Sequence, residues 1–200
     1  MKTIPFAEKY TSHNPISRYL VSRFIDSLSF LVHKAAPRAI LEIGCGEGFL
    51  ALALAEQGHS VRGIDVRKEA IDFASKHAKE KNRESQLRFE VEDIYKISAD
   101  RFQEDLLVCC EVLEHLQDPK TALDCLAQLP AEYAVFSVPC EPLWRFLNLC
   151  RFKYLGSLGN TPGHVNHWSK NAFLAFVKQR YTLVEVLSPL PWTMALCRKA

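Results

Sequence analysis

The chain predicts an α/β fold, with helices covering both faces of one mixed sheet, and three features lead to it. Short runs rich in Val, Ile and Leu alternate with helical patterns between residues 39 and 138, the arrangement that gives parallel strands joined by right-handed crossovers. The first run, residues 39–43, opens into a turn with glycines at 44, 46 and 48 and then an apolar helical stretch. The last two runs, residues 183–187 and 193–198, are joined through Ser188-Pro-Leu-Pro191, a connection short enough to force them antiparallel.

The elements follow in order. Asn14-Pro15 is a helix start, an N-cap followed by proline at the first helical position. Ile16, Leu20, Phe24, Leu28 and Leu31 then recur at helical spacing. Residues 39–43 form strand 1, and a helix over 49–57 is stopped by Gly58. Strand 2 covers 61–66, a charged helix 68–81, strand 3 87–91 and strand 4 105–110. A helix over 119–129 ends at Pro130, and strand 5 covers 133–138. Pro142 opens an apolar helix reaching residue 155, with Arg145, Asn148, Arg151 and Lys153 as its main polar positions. A turn-rich loop, 156–163, and a helix over 171–180 precede the final two strands. No linker or repeat divides residues 1–200, so one domain is expected, with residues 1–36 as a helical lid or cover and 140–170 as an acceptor-side insertion between strands 5 and 6.

Composition bounds the function classes. The 200 residues carry 48% hydrophobic and 24% charged side chains, ordinary for a globular domain. No apolar run approaches the roughly 18 residues needed to span a bilayer, and the first residues lack a signal-peptide centre. Seven cysteines without framework spacing point to a reducing, cytoplasmic setting, with the thiols as small buried hydrophobes. Residues 1–139 hold 17 basic and 21 acidic side chains, whereas 140–200 hold 8 basic and 2 acidic. That asymmetry is either a solvated surface or a positive rim facing an anionic substrate, a membrane surface or RNA.

The glycine turn narrows the ligand. Dinucleotide binders use Gly-x-Gly-x-x-Gly, but here Phe49 stands where the third of those glycines would fall. Glu42, just before the turn, would repel a pyrophosphate and tolerates a cationic head instead. The segment Glu42-Ile-Gly-Cys-Gly-Glu-Gly48 resembles motif I of the class I S-adenosylmethionine-dependent methyltransferases, whose cofactor carries an ammonium and a sulfonium. The resemblance spans nearly the whole chain. It implies a Rossmann-like sheet of order 3-2-1-4-5-7-6 with strand 7 antiparallel, a methyltransferase activity, and S-adenosyl-L-methionine lying against Glu42, Gly44, Cys45, Gly46 and Gly48.

Further positions match the family in order. Asp65, 21 residues after Gly44, ends strand 2 and matches the acid that accepts from the ribose hydroxyls, with Val66 beside it; its structural alternative is to cap the next helix. Asp93 and Ile94 match the adenine-binding acid and its neighbour, with Glu92 as an off-by-one competitor. Residues 111–115, Glu-Val-Leu-Glu-His, resemble the corresponding segment of the small-molecule methyltransferases related to the ubiquinone-pathway O-methyltransferases. That implies Glu111 near the methionine end of the cofactor and His115 at the mouth of the site.

Methyl transfer is an in-line displacement that needs positioning and, for a neutral nucleophile, proton removal. His115, His164 and His167 are the candidate bases, each with the alternative of ordering its loop through backbone hydrogen bonds. Trp168 is a candidate lining for an apolar acceptor pocket. No metal is expected, because the His164-x-x-His167 pair shows no third ligand. The apolar helix with its basic stripe suits core, a dimer face or a lipid surface. The leading expectation is therefore methylation, at oxygen or carbon, of a small acceptor that can be lipid-like. The alternatives are an RNA or protein methyltransferase and a non-catalytic binding domain. The chain lacks an RNA-binding module, peripheral membrane contact stays open, and monomer and homodimer are both compatible.

Overall fold

The computed structural model describes residues 14–150 and 154–200; the expectations for residues 1–13 and for Arg151 and Lys153 lie outside them. Six helices and seven strands are described in the order α1 (Pro15–Ala35), β1 (Ala39–Ile43), α2 (Phe49–Glu56), β2 (Ser60–Asp65), α3 (Lys68–Glu80), β3 (Leu87–Val91), β4 (Leu106–Cys110), α4 (Pro119–Gln128), β5 (Tyr133–Pro139), α5 (Leu143–Cys150), α6 (Lys170–Val177), β6 (Tyr181–Leu187) and β7 (Trp192–Lys199). The strands form one sheet of order β3-β2-β1-β4-β5-β7-β6. β1 to β5 pair in parallel, and β7 runs antiparallel to both β5 and β6.

Strand alternation sorts the core into two layers. Ile40 of β1 and Leu106 and Val108 of β4 pack on one face with Phe24, Leu28, Leu31 and Val32 of α1 and with α2. Leu41, Ile43, Leu107 and Cys109 point the other way, onto Leu123 and Leu126 of α4 and Phe173 and Val177 of α6. Both strands are buried on both faces, which is why they read as continuous apolar runs.

Local chemistry starts and stops the helices, the Asn14 cap as expected. The Asn14 side chain accepts from the N–H groups of Ile16 and Ser17, and Asp118 caps α4 through Thr121. α1 ends at Ala36, which takes a left-handed conformation (φ 47°). Its buried face lies on the sheet, where the Phe24 ring meets Trp192 edge-on at 5.0 Å. As described, α1 covers the sheet and contributes no lining to the cavity discussed below.

Strand order reverses between β1 and β4, so their connections leave on opposite faces and open a crevice at the carboxyl ends. That crevice is where the site lies.

Candidate active site

A cavity of about 570 Å³ occupies the crevice, bounded by the ends of β1, β2 and β4 and the segment after β3. Glu42, Gly44, Cys45, Gly46, Asp65, Val66, Asp93, Ile94, Glu111 and His115 all line it. The structure thus brings together every sequence-predicted cofactor position except Gly48. Gly48 backs the turn: a Cβ there would stand 2.9 Å from Phe89 Cζ and 3.0 Å from Ala74 Cβ, and its φ of +77° excludes most side chains. It lets α2 approach the sheet.

Two buried acids sit under the turn. Glu42 is 3% exposed. Loss of water, reinforced by the nearby Asp65 charge and opposed by a backbone hydrogen bond from Ala51, pushes its carboxyl up from 4.5 to about 8. Cys45, between the two acids, has its thiol pushed far up by burial and by both charges, so it is a packing group.

Asp65 does two jobs. Its Oδ2 accepts from Gly46 N at 2.9 Å, and its Oδ1 accepts from Arg67 N at 2.9 Å and Arg67 Nε at 3.2 Å. The carboxylate therefore ties the glycine turn to the segment leading into α3 while facing the cavity; the N-cap of α3 is Arg67, so Asp65 is not its cap. Arg67, also lining the cavity, carries no motif signal in the sequence.

Asp93 and Glu92 separate clearly. Asp93 Oδ1 accepts from Tyr95 N at 3.0 Å, which holds the segment after β3 against the cavity. Glu92 forms a close ion pair with Arg101. Both acids line the cavity, together with Tyr95, which the sequence reading omitted.

The tip of β4 is strained. Glu111 adopts φ +60°, a left-handed conformation that costs a non-glycine residue roughly 1–2 kcal/mol. Such strain persists only where the surroundings over-determine it, and it clusters at functional sites. After it, Leu113–His115 form a 3-10 turn that carries His115 to the cavity.

The three histidines divide. His115 is the one that lines the cavity. His164 is 8% exposed, packs edge-on against the His115 ring at 4.8 Å and stacks on Trp144 at 6.0 Å. His167 lies on an exposed stretch with Nε2 2.7 Å from Asn160 Oδ1, and Trp168 packs on Phe173 and Phe176 rather than in an acceptor pocket. The segment 163–168 turns its side chains alternately outward and inward, which separates His164 from His167.

The same corner holds a donor set that the sequence reading missed. Glu114, His115 and His164 each offer a ligand atom, all within 4.8 Å of one another, and Glu114 is 1% exposed. The third donor absent around His164-x-x-His167 comes from 50 residues earlier, and His167 takes no part. Two imidazoles and a carboxylate are the donor types of zinc and other divalent first-row ions.

A methyltransferase-domain family profile matches residues 40–130. The ubiquinone biosynthesis O-methyltransferase of Alkalilimnicola ehrlichii is 40% identical over 103 residues, covering 50% of this chain and 41% of that protein. Its counterpart from Psychrobacter arcticus is 37% identical over 99 residues, covering 48% and 38%. The chain thus spans about two fifths of the length of these curated relatives. Among solved structures, magnesium protoporphyrin IX methyltransferase from Synechocystis with bound S-adenosylhomocysteine superposes with a TM-score of 0.74 at 18% identity, over 98% of this chain and 93% of that one. The N-methyltransferase NodS of Bradyrhizobium japonicum gives 0.67 at 25% identity, over 90% and 96%. The chain as a whole has the seven-stranded, Rossmann-like fold of the class I S-adenosylmethionine-dependent methyltransferases.

Proposed function

We propose that this chain transfers a methyl group from S-adenosylmethionine to the oxygen of a small acceptor, of the kind handled by the ubiquinone biosynthesis O-methyltransferases it is similar to. One observation carries the reading: acids from four strand ends, Glu42, Asp65, Asp93 and Glu111, converge on one cavity whose edge is His115. The bound cofactor would supply an electrophilic methyl group on a good leaving sulfur. In this reading Asp65 would accept from the ribose hydroxyls beside Val66, and Asp93 and Ile94 would meet the adenine. Glu42 and Glu111 offer negative charge to the cationic end. An acceptor hydroxyl that attacks carbon must lose its proton, and His115 is the cavity-lining imidazole able to take it.

The donor set at the mouth favours a second reading of the same corner. In it Glu114, His115 and His164 hold a divalent cation, which would lower the pKa of an acceptor hydroxyl. The position of α5 beside this corner, with Phe146 exposed and Arg145 on the same short helix, is consistent with an amphiphilic acceptor.

Incubation with methyl-labelled cofactor and fractionated cell extract tests the function, with Asp65→Ala as the blank. Label entering the lipid or small-molecule fraction supports the proposal, and label confined to RNA or protein overturns it. Repeating the transfer after chelation, with manganese or zinc added back, separates the two readings of the corner.

A further inference from the structure

The turn that carries His115 closes on itself through His115 N to Val112 O at 2.9 Å and Leu116 N to Leu113 O at 3.3 Å, and is also held from outside. Its outward carbonyls are taken up by residues some 50 positions later, in the loop between α5 and α6. Val165 N and Asn166 N both donate to Glu114 O, at 2.9 and 3.1 Å. The Asn166 side chain reaches over the turn, and its amide nitrogen donates to Leu113 O at 3.1 Å and Leu116 O at 2.6 Å. Asparagine suits the position because its amide offers two N–H donors on a short stem. Aspartate has the same shape and no donor; glutamine is one methylene longer.

The same loop touches the imidazole. His115 Nδ1 lies 2.9 Å from Gly163 O. A carbonyl only accepts, so Nδ1 must carry the hydrogen. In the neutral ring the lone pair is then on Nε2. Gly163 has φ +91°, and a Cβ on it would stand 3.4 Å from that same Nδ1. Backbone and side chain at 163 both bear on how the ring sits.

We infer that Gly163 and Asn166 are positioning residues that fix His115 in its Nδ1–H tautomer, with the basic Nε2 presented for proton uptake or cation binding. Asn166 clamps the loop onto the turn, and Gly163 reads out that clamp at the ring. The inference deepens the proposed function and rests on His115 serving the acceptor side, but its primary readout needs neither acceptor nor turnover. A hydrogen bond from the far ring nitrogen to a backbone carbonyl is a common way to orient a histidine, and where the histidine binds a metal, losing such support typically costs about 10–100-fold in metal affinity or activity.

Nitrogen-15 NMR of histidine-labelled protein at alkaline pH tests it, with His115→Gln identifying the signal. The wild type should show His115 Nδ1 protonated and Nε2 unprotonated. Asn166→Ala and Asn166→Asp should lose the single tautomer and give a mixture, and Gly163→Ala should do the same. In Asn166→Ala, label transfer should fall about tenfold or more, while affinity for S-adenosylhomocysteine stays within about twofold. Asn166→Gln should recover part of the loss. A wild-type ring protonated on Nε2, or an Asn166→Ala protein whose tautomer is unchanged, overturns the inference. So does cofactor affinity that falls in step with transfer, because that marks a general structural defect. If no wild-type transfer is found in any fraction, the proposed function fails while the tautomer result still decides this point.

Discussion

Changing pH from 6 to 8 should tighten S-adenosylmethionine binding, and Glu42 should be the cause. Its carboxyl is buried beneath the glycine turn and titrates near 8 rather than 4.5. At pH 6 the empty site therefore holds it mostly protonated. A cation placed in the cavity favours the ionised form, so binding expels a proton and grows stronger with pH until Glu42 ionises unaided. One pKa unit corresponds to about 1.4 kcal/mol, or about tenfold in affinity. Because the free carboxyl is still half protonated at pH 8, the limiting gain from pH 6 to 8 is about 50-fold, reached only if the bound carboxyl titrates well below 6. S-adenosylhomocysteine lacks the sulfonium charge and should show a shallower slope. The stability of the empty protein should move oppositely. The folded state keeps a proton that the unfolded chain releases between 4.5 and about 8, so this group's contribution falls as pH rises through that window. Calorimetric titration at pH 6, 7 and 8, in two buffers of different ionisation enthalpy, reads both affinity and proton release. Glu42→Gln should flatten the Glu42 component of the slope, while any titration of the ligand itself persists in the variant. Equal slopes in wild type and variant would refute the reasoning.

Other perturbations have equally direct consequences. Gly44→Ala forces a side chain into φ +66° with its Cβ 2.5 Å from Val112 Cγ2; urea unfolding should show a loss of about 2–4 kcal/mol, partly restored by adding Val112→Ala. Phe24→Ala removes a ring that is 3% exposed against Trp192; it should cost about 3–5 kcal/mol yet leave S-adenosylhomocysteine affinity of the folded protein within about twofold. Glu111→Gly relieves the left-handed strain, so thermal unfolding should reveal unchanged or higher stability, by about 1 kcal/mol, together with weakened cofactor binding.

Fold and site were legible to different degrees, for physical reasons. Strand alternation and the glycine turn report local backbone requirements, so the element order and the positions of Glu42, Asp65 and Asp93 could be read directly. The switch between β1 and β4 then brought distant strand ends together, as the topology requires. What stayed hidden depends on side-chain direction in loops. His164 and His167 look equivalent in sequence, but the first turns inward onto His115 and the second bonds Asn160 on the exposed side. Glu114 gave no sign of joining His164, because its partner lies across the sheet end rather than along the chain. Arg67 and Tyr95 follow recognised acids by two residues and line the cavity through turn geometry that no period encodes. The α5 pattern suggested a helix to residue 155, whereas the helix is described only as far as Cys150.

The central claim is that carboxylates from neighbouring strand ends form a cradle for a cationic sulfur nucleoside. Calorimetry with S-adenosylhomocysteine tests it most directly, on the wild type and on Asp65→Ala, with ligand-free melting of both to separate folding from binding. The account predicts saturable uptake by the wild type and a loss of at least about 30-fold in the variant, worth about 2 kcal/mol. Absence of heat with both S-adenosylhomocysteine and S-adenosylmethionine, alongside tight binding of a nicotinamide or flavin dinucleotide, would contradict it.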